Sequence, residues 1–179
     1  KVIIRDCEFD GTLLDNKSAA FCTGFWGIAD LQRNYIHHFG GGLALYNTGS
    51  TLDALVEQNY VTDMIPWGDA ATTGNHIDGF TIRDFTAASR PSRAAIIRNN
   101  RFDANAPSNV TGAFFIQPLW ERVDNVTIKG NLLAGAGWNL VLEQKTGYSN
   151  IKAINNRFTP TGWGATYYEG PGWTTWQDN

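Results

Sequence analysis

Apolar residues alternate along this chain with a period of two, and the alternation recurs with an asparagine at a fixed place. The pattern apolar, x, apolar, x, x, Asn, x, apolar occupies Ala29, Leu31, Asn34 and Ile36, then Ala54, Val56, Asn59 and Val61, then Ala95, Ile97, Asn100 and Phe102. It returns at Val126, Ile128, Asn131 and Leu133 and at Ile151, Ala153, Asn156 and Phe158. The opening Val2, Ile4, Cys7 and Phe9 follow it with Cys7 in the asparagine slot. Successive slots lie 27, 25, 41, 31 and 25 residues apart. A period of two is the mark of a strand, and no sustained 3.6-residue pattern speaks for helices. A supersecondary unit repeated at this length cannot bury its apolar face alone and does so by stacking on its neighbours.

Each repeat is expected to carry a second strand: Ala19 to Thr23, Leu43 to Asn47, Gly79 to Asp84, Ala113 to Gln117, Asn139 to Gln144 and Ala165 to Tyr168. Equivalent strands would then stack in parallel about 4.8 Å apart, with Leu45, Ile82, Ile116 and Leu142 pointing into a shared interior. Asparagine tolerates the left-handed conformation of a sharp turn, and its amide both donates and accepts. Asn34, Asn59, Asn100, Asn131 and Asn156 are therefore read as a structural ladder. The expected architecture is all-β: a right-handed parallel β-helix of about six coils, with an Asn ladder, forming one domain over residues 1–179. The stretch from Gly170 to Asn179, with Pro171, Trp173 and Trp176, does not read as another coil. It is expected to cap the last one, Trp176 packing on it. The strand-like run Val2-Ile3-Ile4 at the very start suggests the C-terminal part of a longer chain, with further coils or a partner subunit before Lys1.

Composition narrows the partners. The 14 Lys and Arg against 17 Asp and Glu, a net charge of -3, supply no basic field, so no nucleic acid is expected. No apolar run approaches the roughly 20 residues of a membrane span, and no membrane insertion is expected. The 7 Trp, 6 Tyr and 10 Phe make the chain rich in rings, which serve binding surfaces when they are not buried. Cys7 and Cys22 read as two small buried thiols, with a single bridge between them left open. No nucleophile with its base, phosphate-binding loop or zinc-spaced Cys/His set is present, and neither a metal nor another cofactor is expected.

At Asn75-His76-Ile77-Asp78-Gly79-Phe80, at the Asn155-Asn156-Arg157-Phe158 turn, at Gly135-Ala136-Gly137 and at Trp173 to Trp176 followed by Gln177-Asp178-Asn179, the chain resembles a known family. These are the right-handed parallel β-helix repeats, of the pectate-lyase-like superfamily, of secreted actinobacterial proteins and of the tail proteins of phages that infect them. The resemblance covers nearly the whole chain. It implies an extracellular place, on a virion tail or a cell surface, a polysaccharide or cell-surface glycan as partner, and a homotrimer. Similar repeats occur in lyases, in hydrolases and in tailspikes that bind or cut glycans, so the fold does not select the activity. Catalytic types in the superfamily resemble one another in carrying carboxylate clusters on adjacent coils; no such cluster can be assembled from this sequence.

The outward residues of the second strands would be Tyr46, Arg83, Gln117, Glu143 and Tyr168, which read equally as a solvated face or as a sugar-binding stripe. The longest loop, Thr62 to His76, carries Trp67, and register would bring Trp138 and Trp163 near it. Such a row of rings suits the apolar faces of pyranoses; alternatively each ring covers a cluster under its own loop. His76 and Asp78 share one face of a strand, a placement suited to acid/base work or to a metal; the plainer alternative is that Asp78 caps the turn before Gly79 and His76 orients it. His37 and His38, being adjacent, are expected to point apart. Glu143 lies two coils from Asp78, near or beyond the roughly 5 to 9.5 Å that glycoside hydrolysis needs between its carboxyls. A lyase would instead use Arg83 or Tyr46 as base. Two functions from different classes follow. One is a glycan-recognising module, a receptor-binding domain for bacterial polysaccharide, using Tyr46, Trp67, Arg83, Gln117, Trp138, Glu143, Trp163 and Tyr168. The other is a polysaccharide lyase or glycoside hydrolase using Arg83, Glu143, His76 and Asp78. A structural spacer is the third and plainest alternative.

Overall fold

In the computed structural model, which describes residues 1–46, 49–135, 137–143 and 147–179, the chain winds as a right-handed parallel β-helix. The first coil holds β1 (Ile3–Arg5), β2 (Glu8–Asp10), a short helix α1 (Asn16–Ala20) and β3 (Thr23–Gly27). The second holds β4 (Asp30–Gln32), β5 (Tyr35–His37) and β6 (Gly41–Tyr46), and the third β7 (Ala54–Glu57), β8 (Tyr60–Thr62) and β9 (Ile77–Arg83). The fourth is β10 (Ala95–Arg98), β11 (Arg101–Asp103) and β12 (Val110–Ile116), and the fifth β13 (Val123–Lys129), β14 (Leu132–Ala134) and β15 (Trp138–Leu142). The sixth is β16 (Tyr148–Ile154), β17 (Arg157–Phe158) and β18 (Gly164–Tyr168), and β19 (Thr175–Gln177) begins a seventh. Equivalent strands pair in parallel, giving three sheets of seven, six and six strands among the described residues.

Each coil thus has three strands where the sequence suggested two. The reason lies at the corner. The left-handed residue is not the ladder asparagine but the one before it: Asp6, Arg33, Gln58, Asn99, Gly130, Asn155 and Asp178 all have φ between 52° and 67°. This bend turns the chain between the first and second sheets, so Ile36, Val61, Phe102 and Leu133 fill the core from a sheet of their own. The asparagine that follows is then aimed along the stack. Asn59 Oδ1 accepts from the backbone N–H of Asn34 at 3.0 Å and from its Nδ2 at 2.9 Å. The same pair of bonds joins Asn59 to Asn100, Asn100 to Asn131, Asn131 to Asn156 and Asn156 to Asn179. Each Nδ2 also donates to a first-sheet carbonyl, those of Ile4, Leu31, Val56, Ile97, Ile128 and Ala153 in turn. Buried amides are tolerated because they are paired in this way.

The expected interior holds: Leu45, Ile82, Ile116 and Leu142 are in register and fully buried. Phe80 packs between Phe102 and Phe114 at 5.1 and 4.6 Å between ring centres. Three local expectations need correction. Ala19 to Thr23 is not a strand: Asp15 accepts the Ser18 N–H and caps α1, whose Ala19 and Ala20 pack inward, and β3 starts only at Thr23. The C-terminal stretch does lie over the sixth coil, but as the start of a seventh turn. β19 pairs with β16, Trp176 stacks on Phe158 at 5.8 Å, and Asn179 takes the next ladder slot. Cys7 and Cys22 are free and exposed, Cys7 at the corner of the first coil and Cys22 just after α1. Asn47 and Gln144, expected as strand ends, and Ala136 of the Gly135 to Gly137 loop lie outside the described residues.

Replacing Asn100 by Ala removes the acceptor for the Asn59 N–H and Nδ2 and the donor to Val56 O and Asn131 Oδ1. With buried unsatisfied groups costing about 1–3 kcal/mol each, urea unfolding should show a loss of about 3 kcal/mol or more. A loss below about 1 kcal/mol would show that the ladder contributes little beyond backbone pairing.

Candidate functional site

The third sheet carries the site, and two glycines explain its relief. A Cβ on Gly42 would stand 2.1 Å from Gly79 O, and one on Gly79 would stand 2.7 Å from Ala113 O. Both positions face the interior, as do the residues that follow them, Leu43 and Phe80. Two consecutive inward positions throw the preceding ones outward, and Gly41, Asp78, Gly112 and Trp138 lie side by side on the outer surface. Beyond the kink run two more outer rows. One is Trp26, Ala44, Thr81, Phe115, Val141 and Tyr167. The other begins with Tyr46 beside Arg83 and continues through Gln117 and Glu143.

Four of the five residues expected in the outer stripe are therefore neighbours. Tyr168 is not among them: it pairs with Leu142, in the interior register, and lines a hollow at the end of the stack with Trp173 and Trp176. Glu169, whose N–H bonds to Leu142 O, follows Glu143 instead. The one-residue slip arises because the sixth coil has one residue more between its ladder asparagine and this strand: Gly164, eight positions after Asn156, pairs with Trp138, seven after Asn131.

Two adjoining hollows, of ≈ 390 and ≈ 290 Å³, lie on this face and share His76, Asp78 and Arg83. Gln117 and Glu143 line the smaller one, and the Gln117 amide donates to the Glu143 carboxylate. Asp78 is half-buried as a residue, yet its Oδ1 is closed off from solvent and finds no hydrogen-bond partner among the described residues. Burial raises its pKa to about 7, opposed by the Arg83 charge and the Gly112 N–H and aided slightly by Glu143. Asp78 is thus a carboxyl able to hold a proton near neutrality, on the same strand as the Arg83 guanidinium. His76 is exposed, with Nδ1 3.2 Å from Thr111 Oγ1; it opens onto the same groove but makes no hydrogen bond to Asp78.

Rings stand at both ends of the groove. Tyr46 lies 5.1 Å from Trp26 and 6.0 Å from Trp120, and the Arg83 guanidinium sits 5.8 Å over the Trp26 ring. Trp120 is held there by Asp84, whose Oδ1 accepts the N–H groups of Leu119, Trp120 and Glu121 at 2.8 to 3.0 Å. At the other end Trp138 lies 6.3 Å from Trp163 and 5.7 Å from Tyr167. The expected meeting of Trp67 with Trp138 and Trp163 does not occur among the described residues. The Trp67 backbone is tied to Asn75 and Asn109, the residues just ahead of β9 and β12. The loop reaches the groove only through its last residues, Gly74 to His76. Trp26, Trp120 and Tyr167 escaped the sequence reading. Trp26 and Tyr167 become visible once the third sheet is placed in register, whereas nothing in the repeat marks Trp120.

His37 and His38 also depart from expectation. They converge instead of pointing apart, because His38 adopts φ 61° and folds its ring back on its neighbour.

Fold and groove together define a parallel β-helix with a polar, ring-flanked depression on the outer face of one sheet. Comparison with protein-family models, with curated proteins and with solved structures found no match.

Asp78 gives a signed pH effect. With its folded pKa above the unfolded value of 3.8, the folded chain holds a proton that the unfolded chain releases. Its contribution to stability is complete below about pH 4, falls as pH rises to about 7, and is flat beyond. Asp78→Asn lacks this titration, so urea unfolding at pH 4.5 and pH 8 should show wild type losing ground to the variant by on the order of 2 kcal/mol. That is a screened share of about 1.4 kcal/mol per pKa unit. Identical pH slopes would mean that Asp78 is ionised throughout.

Proposed function

We propose that the outer groove of the third sheet recognises an oligosaccharide segment of a bacterial polysaccharide or cell-surface glycan. The observation that carries this reading is the order of groups along the stack. Trp26, Tyr46 and Trp120 are followed by Arg83, Gln117 and Glu143, and these by Trp138, Trp163 and Tyr167. Three coil steps separate Tyr46 from Trp138, on the order of 14 Å at about 4.8 Å per coil, a span for several sugars rather than one. Rings offer flat apolar faces to pyranose C–H groups, while a guanidinium, an amide and a carboxylate meet the hydroxyls. The resemblance to the repeats of secreted and phage-tail proteins supports the same reading, and with it a receptor-binding role outside the cell.

A second reading, a glycoside hydrolase or polysaccharide lyase, is favoured by one observation: a carboxyl raised to about 7 in a groove that also holds Glu143. A protonated Asp78 would serve as general acid and Glu143 as base toward a water, the division of labour of an inverting hydrolase. In a lyase, Arg83 or Tyr46 would take the proton.

A bacterial-glycan array followed by incubation of each bound polysaccharide separates the two. Binding without shortening or new absorbance from unsaturated uronates is the expected outcome, with Trp26→Ala and Trp138→Ala each lowering affinity tenfold or more while the circular dichroism stays unchanged. Shortening that is lost in Asp78→Asn and Glu143→Gln would replace recognition by catalysis. Absence of any glycan bound would overturn both and leave a structural spacer.

A further inference from the structure

We infer that Asp10, His37 and His38 form a binding site for one divalent transition-metal ion, of the zinc or nickel type, at the corner between the first two coils. The site lies on the second sheet and the turn that leaves it. β2 pairs with β5 so that Asp10 stands directly beside His37. The His37 ring is buried and stacked on Tyr35 at 4.3 Å, which in turn stacks on Tyr60 at 5.5 Å. A ring clamped in this way offers its nitrogens in fixed directions. His38 contributes through its backbone: the left-handed φ of 61°, costly for a residue with a Cβ, is held by its N–H on Asp63 O and by Gly11 N–H on His37 O.

The result is convergence of three ligand atoms. His37 Nδ1 lies 2.6 Å from His38 Nδ1 and 3.6 Å from Asp10 Oδ1, and all three fall within 4.8 Å of one another. The tautomer of His37 is set from its far side. Glu8 Oε1 stands 3.0 Å from His37 Nε2, which places the ring proton there and leaves the Nδ1 lone pair facing His38 and Asp10. This is the carboxylate–histidine arrangement that fixes the orientation of an imidazole toward a cation. Asp10 is itself oriented by the Thr12 N–H and hydroxyl at 2.8 and 2.9 Å. A lone pair, a second imidazole and a carboxylate pointing at one another call for a positive centre between them. Two nitrogens and one oxygen suit zinc, nickel, cobalt or copper rather than calcium or magnesium. To seat an ion at about 2.0–2.1 Å in tetrahedral geometry the two nitrogens need to part by roughly 0.7 Å, within reach of the His38 side chain, which is only half-buried. An open fourth position would face solvent, and the bound ion would fasten the first coil to the second.

The test uses tag-free full chain carrying Cys7→Ser and Cys22→Ser, so that the exposed thiols bind nothing. Calorimetric titration with Zn²⁺ should give one ion per chain at micromolar affinity or tighter, and Zn²⁺ should raise the thermal midpoint. His38→Asn keeps a residue that accepts positive φ, and Asp10→Asn keeps the shape of the carboxylate; both should fold as the parent does. Each should lose at least tenfold in affinity together with the thermal shift. Failure of the parent to bind Zn²⁺, Ni²⁺ or Co²⁺ at millimolar concentration would overturn the site, leaving a shared proton between the two rings. Equal affinity in parent and both variants would overturn it as well, because the ion would then sit elsewhere.

Discussion

Amide stacked on amide, from Asn34 to Asn179, is the constraint on which the rest of this protein depends. Each ladder side chain satisfies two donors of the preceding coil with one oxygen and reaches back to a carbonyl with its nitrogen. Such a bond network allows one vertical spacing and one register, and a slip of a single residue would expose it. Because the corner is fixed, the strands that follow it start in phase. The core side chains of the third sheet then fall under one another, and the outer side chains form straight rows. A groove assembled from six coils is possible only because no coil can drift.

The groove itself is less settled energetically than the frame. Buried Arg93 shows how a charge is held inside the frame: its guanidinium covers the Phe85 ring at 3.8 Å and donates to the carbonyls of Leu52 and Thr86, and burial lowers its pKa to about 10. Asp78 has a closed-off oxygen without a partner, beside Arg83 whose Nε is in the same condition. Asp84 Oδ2, Asn139 Oδ1 and Trp173 Nε1 are closed off in the same way but do not line the groove, whereas Asp78 and Arg83 bring two such atoms together in one depression, where a ligand's own hydroxyls would complete them.

Much of the frame was legible in the sequence because two physical signals coincide in each repeat, the alternation of the strand and the asparagine of the corner. The interior residues Leu45, Ile82, Ile116 and Leu142 follow from that pattern alone. What was hidden depends on backbone angles that side-chain identity does not reveal. The left-handed residue before each asparagine varies among Asp, Arg, Gln, Asn and Gly, so the corner and the third strand it creates leave no common letter. The seventh turn was masked because Thr174 replaces the usual apolar residue and Gly170 and Pro171 precede it. Arg83, Gln117 and Glu143 were placed correctly by alternation, whereas Tyr168 slipped by one. Trp120 owes its position to Asp84, a contact between residues far apart in sequence. The convergence of His37 and His38 likewise rests on one dihedral angle.

The steps between ladder asparagines range from 23 to 41 residues, while the bonds between those asparagines hardly change in length. Extra residues in a long coil are accommodated outside the frame, as in the segment between Thr62 and Ile77, part of which borders the groove. The stacking frame and the relief of the outer surface are therefore written into separate parts of the chain. A lineage, or an engineer, can exchange one rim segment for another and alter what the surface meets without redesigning the column that bears it.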